Sequence, residues 1–455
     1  MAKNNEKAVP AKRLNRFGRM ARMASGVAAG MLSEGARQLS QGKRPKIGDM
    51  LLTPANAKRV ADQLSTMRGA AMKVGQLLSM ETRDFLPPEL ADILAQLRNK
   101  AFIMPSAQLE DCLITAYGEN WQQQFASFEH QPMAAASIGQ VHRATTLDGD
   151  DIVLKIQYPG VRESIDSDVD NIASLLRITR LLPKEVEIDT ILADAKKQLH
   201  EEADYYQEAA YLQQFSDALA DEADFLVPSY YPELSTDKIL AMSYVVGEPI
   251  ENLETLTDKD KNTLIHNMFK LMLFELFDLR LMQTDANFAN YLYHAKNKNI
   301  ALLDFGASRA FSKKFVIDYK RLLRAVCQND QPALIDAADR LGYDASTASD
   351  AYREFLIKIF EIALEPFATE GIYHFKEARI SERLAALSEA GFDFKEFWRV
   401  PPSDILYLHR KVAGMYLLAA RIDAKIDLNT LVSPCLLYTS PSPRDLSTSR
   451  MPSSA

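Results

Sequence analysis

The sequence predicts an α+β fold in which a small strand-bearing lobe precedes a larger helical lobe, with a helical block in front of both. Three observations lead there: apolar residues at helical spacing before about residue 120, a change to strand periodicity after it, and a return to helix from Asp258 with one hairpin inside. At 455 residues the chain accommodates such a two-lobed domain and an extension. With 47% hydrophobic and 25% charged residues it reads as globular rather than disordered. Cys112, Cys327 and Cys435 stand far apart with no CxxC, which argues against a disulfide framework or a zinc site and for a reducing compartment.

Residues 1–15 are polar and basic and are expected to be a disordered tail. From Arg16, the residues Phe17, Met20, Ala21, Ala24, Val27, Ala28 and Met31 recur at helical spacing with Arg16, Arg19 and Arg22 beside them. This basic amphipathic stretch either lies on lipid or packs on the domain with its arginines in solvent. A second helix is expected over about 56–79, Pro87-Pro88 stops a helical run, and 104–118 is helical again. The helical extension is thus placed at 16–120.

Strand patterns then occupy Ser137–Ala144 and Ile152–Gln157 around an Asp148-Gly149-Asp150 turn. Helices are expected at about 161–181 and 188–217, and a strand pair near 225–229 and 238–245, closing a small lobe at 121–245. The helical lobe at 246–434 contains a hairpin from the apolar pieces Asn290–Tyr293 and Ile300–Leu303. The stretch from Cys435 to Asp445 looks like the translation of a transposase sequencing adapter, and Ser449–Ala455 like a flow-cell adapter. Residues 435–455 are therefore read as an artefact, against the alternative of a Ser/Pro-rich tail.

Charge separates along the chain. Residues 1–46 hold eleven Lys/Arg and two acids, about +9, which leaves about −17 on the rest of a chain whose total is −8. A basic amino end on an acidic body suits an anionic membrane surface and not a nucleic acid, whose basic footprint would sit on the folded domain. No run of 18 apolar residues occurs, so membrane contact is expected to be peripheral.

The chemistry-bearing motifs come in a fixed order. Val153-Leu154-Lys155-Ile156 puts a lysine in the second strand of the hairpin, as in the kinase pattern V-A-I-K. Asp285-Ala286-Asn287-Phe288-Ala289-Asn290 has the D-x-x-x-x-N spacing of a kinase catalytic loop, with Met282-Gln283-Thr284 where His-Arg usually precede. Asp304-Phe305-Gly306 follows Asn290 by 14 residues, directly after an apolar strand. Phosphoryl chemistry needs cations against phosphate charge, hard oxygen ligands for magnesium and a carboxylate at the reacting centre. Lys155 can pair with phosphate oxygens, Asn290 and Asp304 can ligate magnesium, and Asp285 can orient or deprotonate the attacking hydroxyl or water. Each carboxylate read alone is a helix cap or a surface ion pair; the ordered set gives a protein-kinase-like two-lobed fold. A helical glutamate should position the lysine, and the run from Glu201 to Glu208 offers several. Taken as one helix, Glu202 and Glu208 lie about 120° apart and should face different partners.

The loop Ala134-Ala135-Ala136-Ser137-Ile138-Gly139-Gln140-Val141 stands where kinases carry G-x-G-x-x-G-x-V. Together with Lys73-Val74-Gly75-Gln76, Pro87-Pro88-Glu89-Leu90 and Glu202-Ala203-Asp204, it resembles the UbiB (AarF-domain, activity-of-bc1-complex-like) family of atypical protein-kinase-like proteins. That family is marked by a KxGQ motif, an alanine-rich loop, an ExD motif and a QTD/DFG pair. The wording is most similar to the mitochondrial coenzyme Q kinase-like branch and its bacterial relatives, over residues 15–434. The resemblance implies that Lys155 pairs with Glu208 and that Lys73 and Gln76 of KxGQ lie near Glu202 and Asp204. It also implies that Ala135, Ala136 and Ser137, with a hinge of Met242, Ser243, Tyr244 and Val245, contact nucleotide. Read without it, the KxGQ helix is mere packing, with Gly69 and Gly75 on a small-residue face and Lys73 at the surface.

The implied function is a kinase-fold ATPase supporting ubiquinone (coenzyme Q) biosynthesis at a membrane surface, with ATP or ADP and Mg2+ as cofactors. Implied partners are ubiquinone precursors or other quinone-biosynthesis proteins, and a homodimer is the assembly considered. The location would be the cytoplasmic face of a bacterial inner membrane, or the mitochondrial matrix side in a eukaryote. The alternatives are a small-molecule or lipid kinase and a nucleotide-gated scaffold without catalysis. Deleting residues 16–32 is expected to weaken flotation with anionic liposomes, more at low salt than at high salt; unchanged flotation would rule out the lipid-surface role of that stretch.

Overall fold

The computed structural model describes residues 38, 69–71, 73–75, 103–136, 138–179, 188–250, 253, 256–285, 287–391 and 402–437. The expectations for the tail at 1–15, the amphipathic stretch 16–32, Gln76, the Pro87-Pro88 stop, Ser137 and residues 438–455 fall outside them. The chain divides into two compact units, one of residues 1–214 and 228–244 and the other of 215–227 and 245–455.

The first unit is built on a five-stranded antiparallel sheet in the order β1-β3-β4-β6, with β2 added on β3. The strands are β1 (Phe125–Phe128), β2 (Ala134–Ala135), β3 (Gly139–Thr146), β4 (Asp151–Gln157) and β6 (Ile239–Ser243). Alternation along β4 sends Ile152, Leu154 and Ile156 to one face and Val153, Lys155 and Gln157 to the other. The first face forms a core with Leu109 and Leu113 of helix α1 (Ser106–Tyr117), Trp121 and Phe125. Burial of this apolar surface, at roughly 25 cal/mol per Å2, holds the helix on the sheet. Helices α2 (Val161–Thr179), α3 (Ile188–Glu202) and α4 (Tyr205–Leu219) follow β4.

The single helix expected over 188–217 is split at Ala203-Asp204. Asp204 N–H donates to the Glu201 carbonyl to close α3, and the Asp204 carboxylate accepts from Gln207 N–H at 3.1 Å to open α4. An aspartate placed to cap stops one helix and starts the next. The strand pair expected from 225–229 and 238–245 does not form either. β5 (Phe225–Leu226) runs parallel to β10 in the second unit, while β6 pairs with β4. Proline 228 cannot donate to a ladder, which leaves room only for an isolated Tyr230–Met242 bridge beyond it.

The second unit carries a four-stranded sheet, β5-β10-β9-β7, with β7 at Glu248–Pro249, β9 at Tyr291–His294 and β10 at Asn299–Leu302. Its β9–β10 hairpin is the one expected, with Lys298 left-handed at the turn. Helix α5 (Asp258–Phe274) is capped by Thr257, whose hydroxyl accepts from Asp260 N–H, and runs into a π-helical turn at Glu275–Leu279. A short ribbon of β8 (Leu281–Gln283) and β11 (Ser308–Ala310), absent from the sequence reading, follows from it. The remaining helices are α6 (Lys313–Cys327), α7 (Gln331–Arg340), α8 (Asp350–Ala368), α9 (Phe375–Ala378), α10 (Ile380–Gly391), α11 (Ser403–Arg421) and α12 (Asn429–Leu437). Phe269, Phe367, Phe375 and Tyr416 form an aromatic cluster among them, with Phe375 stacked on Phe269 and Phe367 edge-on to Phe269. Helix α12 continues through Cys435–Leu437, the start of the adapter-like segment, and the Leu436 carbonyl accepts from Arg324.

One buried chain of hydrogen bonds in the first unit fixes a histidine tautomer. Met104 N–H donates to Gln140 Oε1 at 3.0 Å, Gln140 Nε2 donates to His142 Nε2 at 2.7 Å, and His142 Nδ1 donates to the Glu129 carbonyl at 2.9 Å. Nε2 is thus an acceptor and the ring is neutral, and burial holds its pKa below the ordinary value. Because the unfolded histidine binds a proton more readily, this part of the stability is complete above about pH 6.5 and is lost as pH falls below it. The urea midpoint should therefore drop between pH 7 and pH 5, and His142→Phe should flatten that slope; an equal slope in the variant would refute the assignment.

Candidate functional site

In the first unit the candidate residues gather on the face of the sheet opposite α1. Lys155 lies on the central strand β4, between Val141 of β3 and Leu240 of β6. Its ammonium is buried and donates to both carboxylate oxygens of Glu208, at 2.7 and 2.9 Å, 5.4 Å from the centre of the Tyr205 ring. Glu208 is only 1% exposed and sits in the first turn of α4, where a carboxylate also suits the helix dipole. Beside it, Gln157 Nε2 donates to the Ala203 carbonyl at 2.8 Å and ties β4 to the α3–α4 junction.

That junction separates the two glutamates. Glu202 ends α3 and forms an ion pair with Lys73, while Glu208 begins α4 and holds Lys155. They do face different partners, but through a break between two helices and not through the 120° of one continuous helix. Lys73 is no surface lysine: it is 6% exposed, on a helical segment whose Ala70, Ala71 and Val74 are buried. Asp204 serves as the cap described above.

The alanine loop is regular. Ala134 and Ala135 are extended and pair with Val141 and Gln140, and Ala136 N–H donates to the Gly139 carbonyl at 2.9 Å. None of its described residues has positive φ. Gly139 is required for a different reason: a Cβ there would lie 2.3 Å from the Ile156 carbonyl oxygen, so only glycine lets β3 pass this close to β4. Of the hinge residues, Met242 and Ser243 end β6, Tyr244 N–H donates to the Asp151 carbonyl, and the Tyr244 ring lies 4.4 Å from the Arg143 guanidinium. Val245 begins the second segment of the second unit.

In the second unit two loops are locked together. Leu303 N–H donates to the Asn290 carbonyl at 3.0 Å, which sets Asn290 beside the strand leading into Asp304. Thr284 donates to the Ala307 carbonyl through both its N–H and its hydroxyl, at 3.1 and 2.7 Å. Gln283 Nε2 reaches the Asp304 carbonyl at 2.6 Å, and Gly306 N–H donates to Asp304 Oδ1 at 3.0 Å. Phe305 is fully buried against Phe215. Asn290 and Asp304 supply an amide and a carboxylate oxygen, hard donors of the kind magnesium takes in small number while keeping waters and phosphate oxygens. Among the described residues there is no group of three or more His, Cys, Asp or Glu able to cage a metal by itself.

Two features of this unit escaped the sequence reading. Glu275, wholly buried, accepts from Gln283 N–H and is paired with Lys411 of α11, whose ammonium also reaches the Tyr291 hydroxyl at 3.2 Å. Burial pushes the Glu275 carboxyl up and the Lys411 ammonium down, each partly offset by the other. Arg410, the neighbouring residue, stands 3.5 Å from Asp285. The signal was present as charges inside apolar helical runs, Glu275 and Asp278 within Leu271–Leu279 and Arg410 and Lys411 within Ile405–Leu418.

This ensemble is that of a kinase-like enzyme, a fold that in general takes ATP or ADP with Mg2+. The profile of the ABC1 atypical kinase-like domain matches residues 96–338, and the chain belongs to that family. It is 37% identical over 94% of its length to the mitochondrial atypical kinase COQ8 of Saccharomyces cerevisiae, covering 86% of that protein. It is also 37% identical over 93% of its length to the mitochondrial atypical kinase COQ8B of Rattus norvegicus, covering 80% of it. Among solved structures, the Rv3197–erythromycin complex from Mycobacterium tuberculosis shares the fold, with a TM-score of 0.59, 22% identity and 90% of this chain covered, 97% of that one.

Lys155→Met strands Glu208 as a buried, uncompensated charge and is expected to cost about 3–5 kcal/mol of stability. Adding Glu208→Leu should return most of it. Urea unfolding measures both, and a Lys155→Met protein as stable as wild type would contradict the pairing.

Proposed function

We propose that the chain is a magnesium-dependent ATPase of atypical kinase fold that supports ubiquinone (coenzyme Q) biosynthesis at a membrane surface. The observation that carries the reading is the buried Lys155–Glu208 pair, which fixes an ammonium on the central strand of an ABC1 domain. Lys155 takes phosphate oxygens as a point charge while Glu208 holds its position. Asn290 and Asp304 hold Mg2+, which when bound neutralises charge on the phosphates. Asp285 orients the attacking water and accepts its proton. Ala135, Ala136 and Ser137, with Met242, Ser243, Tyr244 and Val245, line the nucleotide.

The Lys73–Glu202 pair supports a regulatory role for the KxGQ and ExD motifs, since a cation so held is withdrawn from substrates. Gln76 and Asp204 belong to the same device. The attacking group is taken to be water, with phosphorylation of other proteins disfavoured. The names of the relatives, mitochondrial atypical kinases, support a mitochondrial location in a eukaryote; we place the protein on the matrix side there, or at the cytoplasmic face of the inner membrane in a bacterium. Attachment is peripheral in this reading: among the described residues no helix is long and apolar enough to cross a membrane. A homodimer and contact with quinone precursors or the proteins that modify them complete the proposal.

Asp304→Asn should abolish Mg2+-dependent ATP hydrolysis, measured with and without cardiolipin-rich vesicles, and should fail to restore ubiquinone in cells lacking the native protein. Restoration without hydrolysis would replace this reading with a nucleotide-gated scaffold, and labelled phosphate on an extracted lipid would replace it with a lipid kinase.

A further inference from the structure

Helix α11 touches the catalytic loop through two consecutive residues. Lys411 enters the buried group of Glu275 and Tyr291, and Glu275 in turn accepts from the Gln283 backbone at 3.4 Å. Gln283 is two residues before Asp285. Arg410, about 100° further back around the helix, carries its guanidinium to Asp285, with both side chains about three-quarters buried. The amino end of α11 is itself clamped: Arg309 of β11 donates to Asp404 at 2.6 Å and to Ser403 at 3.0 Å and lies over Tyr407. The same helix therefore holds β11, the strand before the loop and the loop carboxylate.

We propose that Arg410 is a positioning residue that fixes the rotamer and the negative charge of Asp285, from a helix whose place is set by the Lys411–Glu275 pair. The inference rests on Asp285 being the proton acceptor of the reaction. At 3.5 Å the contact is longer than a closed bidentate fork, so it acts as a directed field on the carboxylate. An arginine suits this task because it stays charged at every working pH. Two further ionisable groups lie in this neighbourhood. Lys411 is neutralised by Glu275, and Tyr291, buried beside both Glu275 and Asp285, is held in its protonated form.

The test is the pH profile of ATP hydrolysis with Mg2+ for wild type, Arg410→Gln and Arg410→Lys, each at saturating and limiting ATP. In Arg410→Gln, kcat should fall by about tenfold to a hundredfold with KM for ATP little changed, as for a misplaced reacting group. Its acidic limb should move to higher pH, because a carboxylate without its cation takes up a proton more readily. Arg410→Lys should restore the limb in part. An acidic limb and kcat equal to wild type in Arg410→Gln would overturn the proposal, as would equal losses in both variants with the limb unmoved. Thermal unfolding of wild type, Arg410→Gln, Asp285→Asn and the double variant reads the same contact without turnover. Non-additive shifts are expected, and additive ones overturn the link whether or not the ATPase reading holds. Asp285→Asn with full hydrolysis would instead remove the role assigned to Asp285.

Discussion

A lysine gives up its water only where a carboxylate stands ready to replace it, and that constraint organises both units. Lys155, Lys73 and Lys411 are all nearly inaccessible, and each is matched to one glutamate, Glu208, Glu202 and Glu275. Desolvating an unpaired charge costs several kcal/mol, so each pair specifies a position far more sharply than apolar packing does. The strand bearing Lys155 cannot slip by one residue without sending that ammonium to the α1 face and an isoleucine or leucine to Glu208. Around these fixed points the apolar residues have only to fill space.

In the second unit the same constraint works on backbone. Glu275 sits in a π-helical turn, where one extra residue in the helix frees a carboxylate to receive Gln283 N–H, and the chain leaves that turn through a left-handed Arg280. The β8–β11 ribbon then binds the two loops through main-chain and side-chain hydrogen bonds that involve Gln283, Thr284, Asp304 and Ala307. Asn290 owes its place beside the strand into Asp304 to the bond from Leu303 N–H, and Gln283 fixes the Asp304 backbone from the ribbon.

The parts legible in the sequence were those with local periodicity or fixed spacing. The β3–β4 hairpin, the lysine between apolar neighbours, the D-x-x-x-x-N and DFG loops and the β9–β10 hairpin could all be read from the residues themselves. What could not be read depends on contacts distant along the chain. β5 looks like a partner for β6 because it is near it in sequence, yet its partner Ile300 lies far beyond β6, in the second unit to which β5 itself belongs. The helix break at Ala203-Asp204 hides because Glu-Glu-Ala-Asp suits a helix interior as well as a cap; only the hydrogen bond from Gln207 decides. Glu275 and Lys411 are 136 residues apart, and no local pattern pairs them. Glu208 stands out from its neighbours only through the family resemblance, since spacing alone leaves several acids equivalent.

The interleaving of the two units has a consequence for synthesis. Residues 215–227 belong to the second unit but are made before β6, the strand that completes the sheet of the first. A ribosome thus delivers β5 as an edge with no ladder to join until Ile300 and Ala301 emerge. Phe225 and Leu226 then spend that interval in search of a partner, a window in which misplaced strand pairing competes with the native one. Neither unit can be excised as one uninterrupted fragment, and the first sheet can close once β6 has emerged while the second waits for β10.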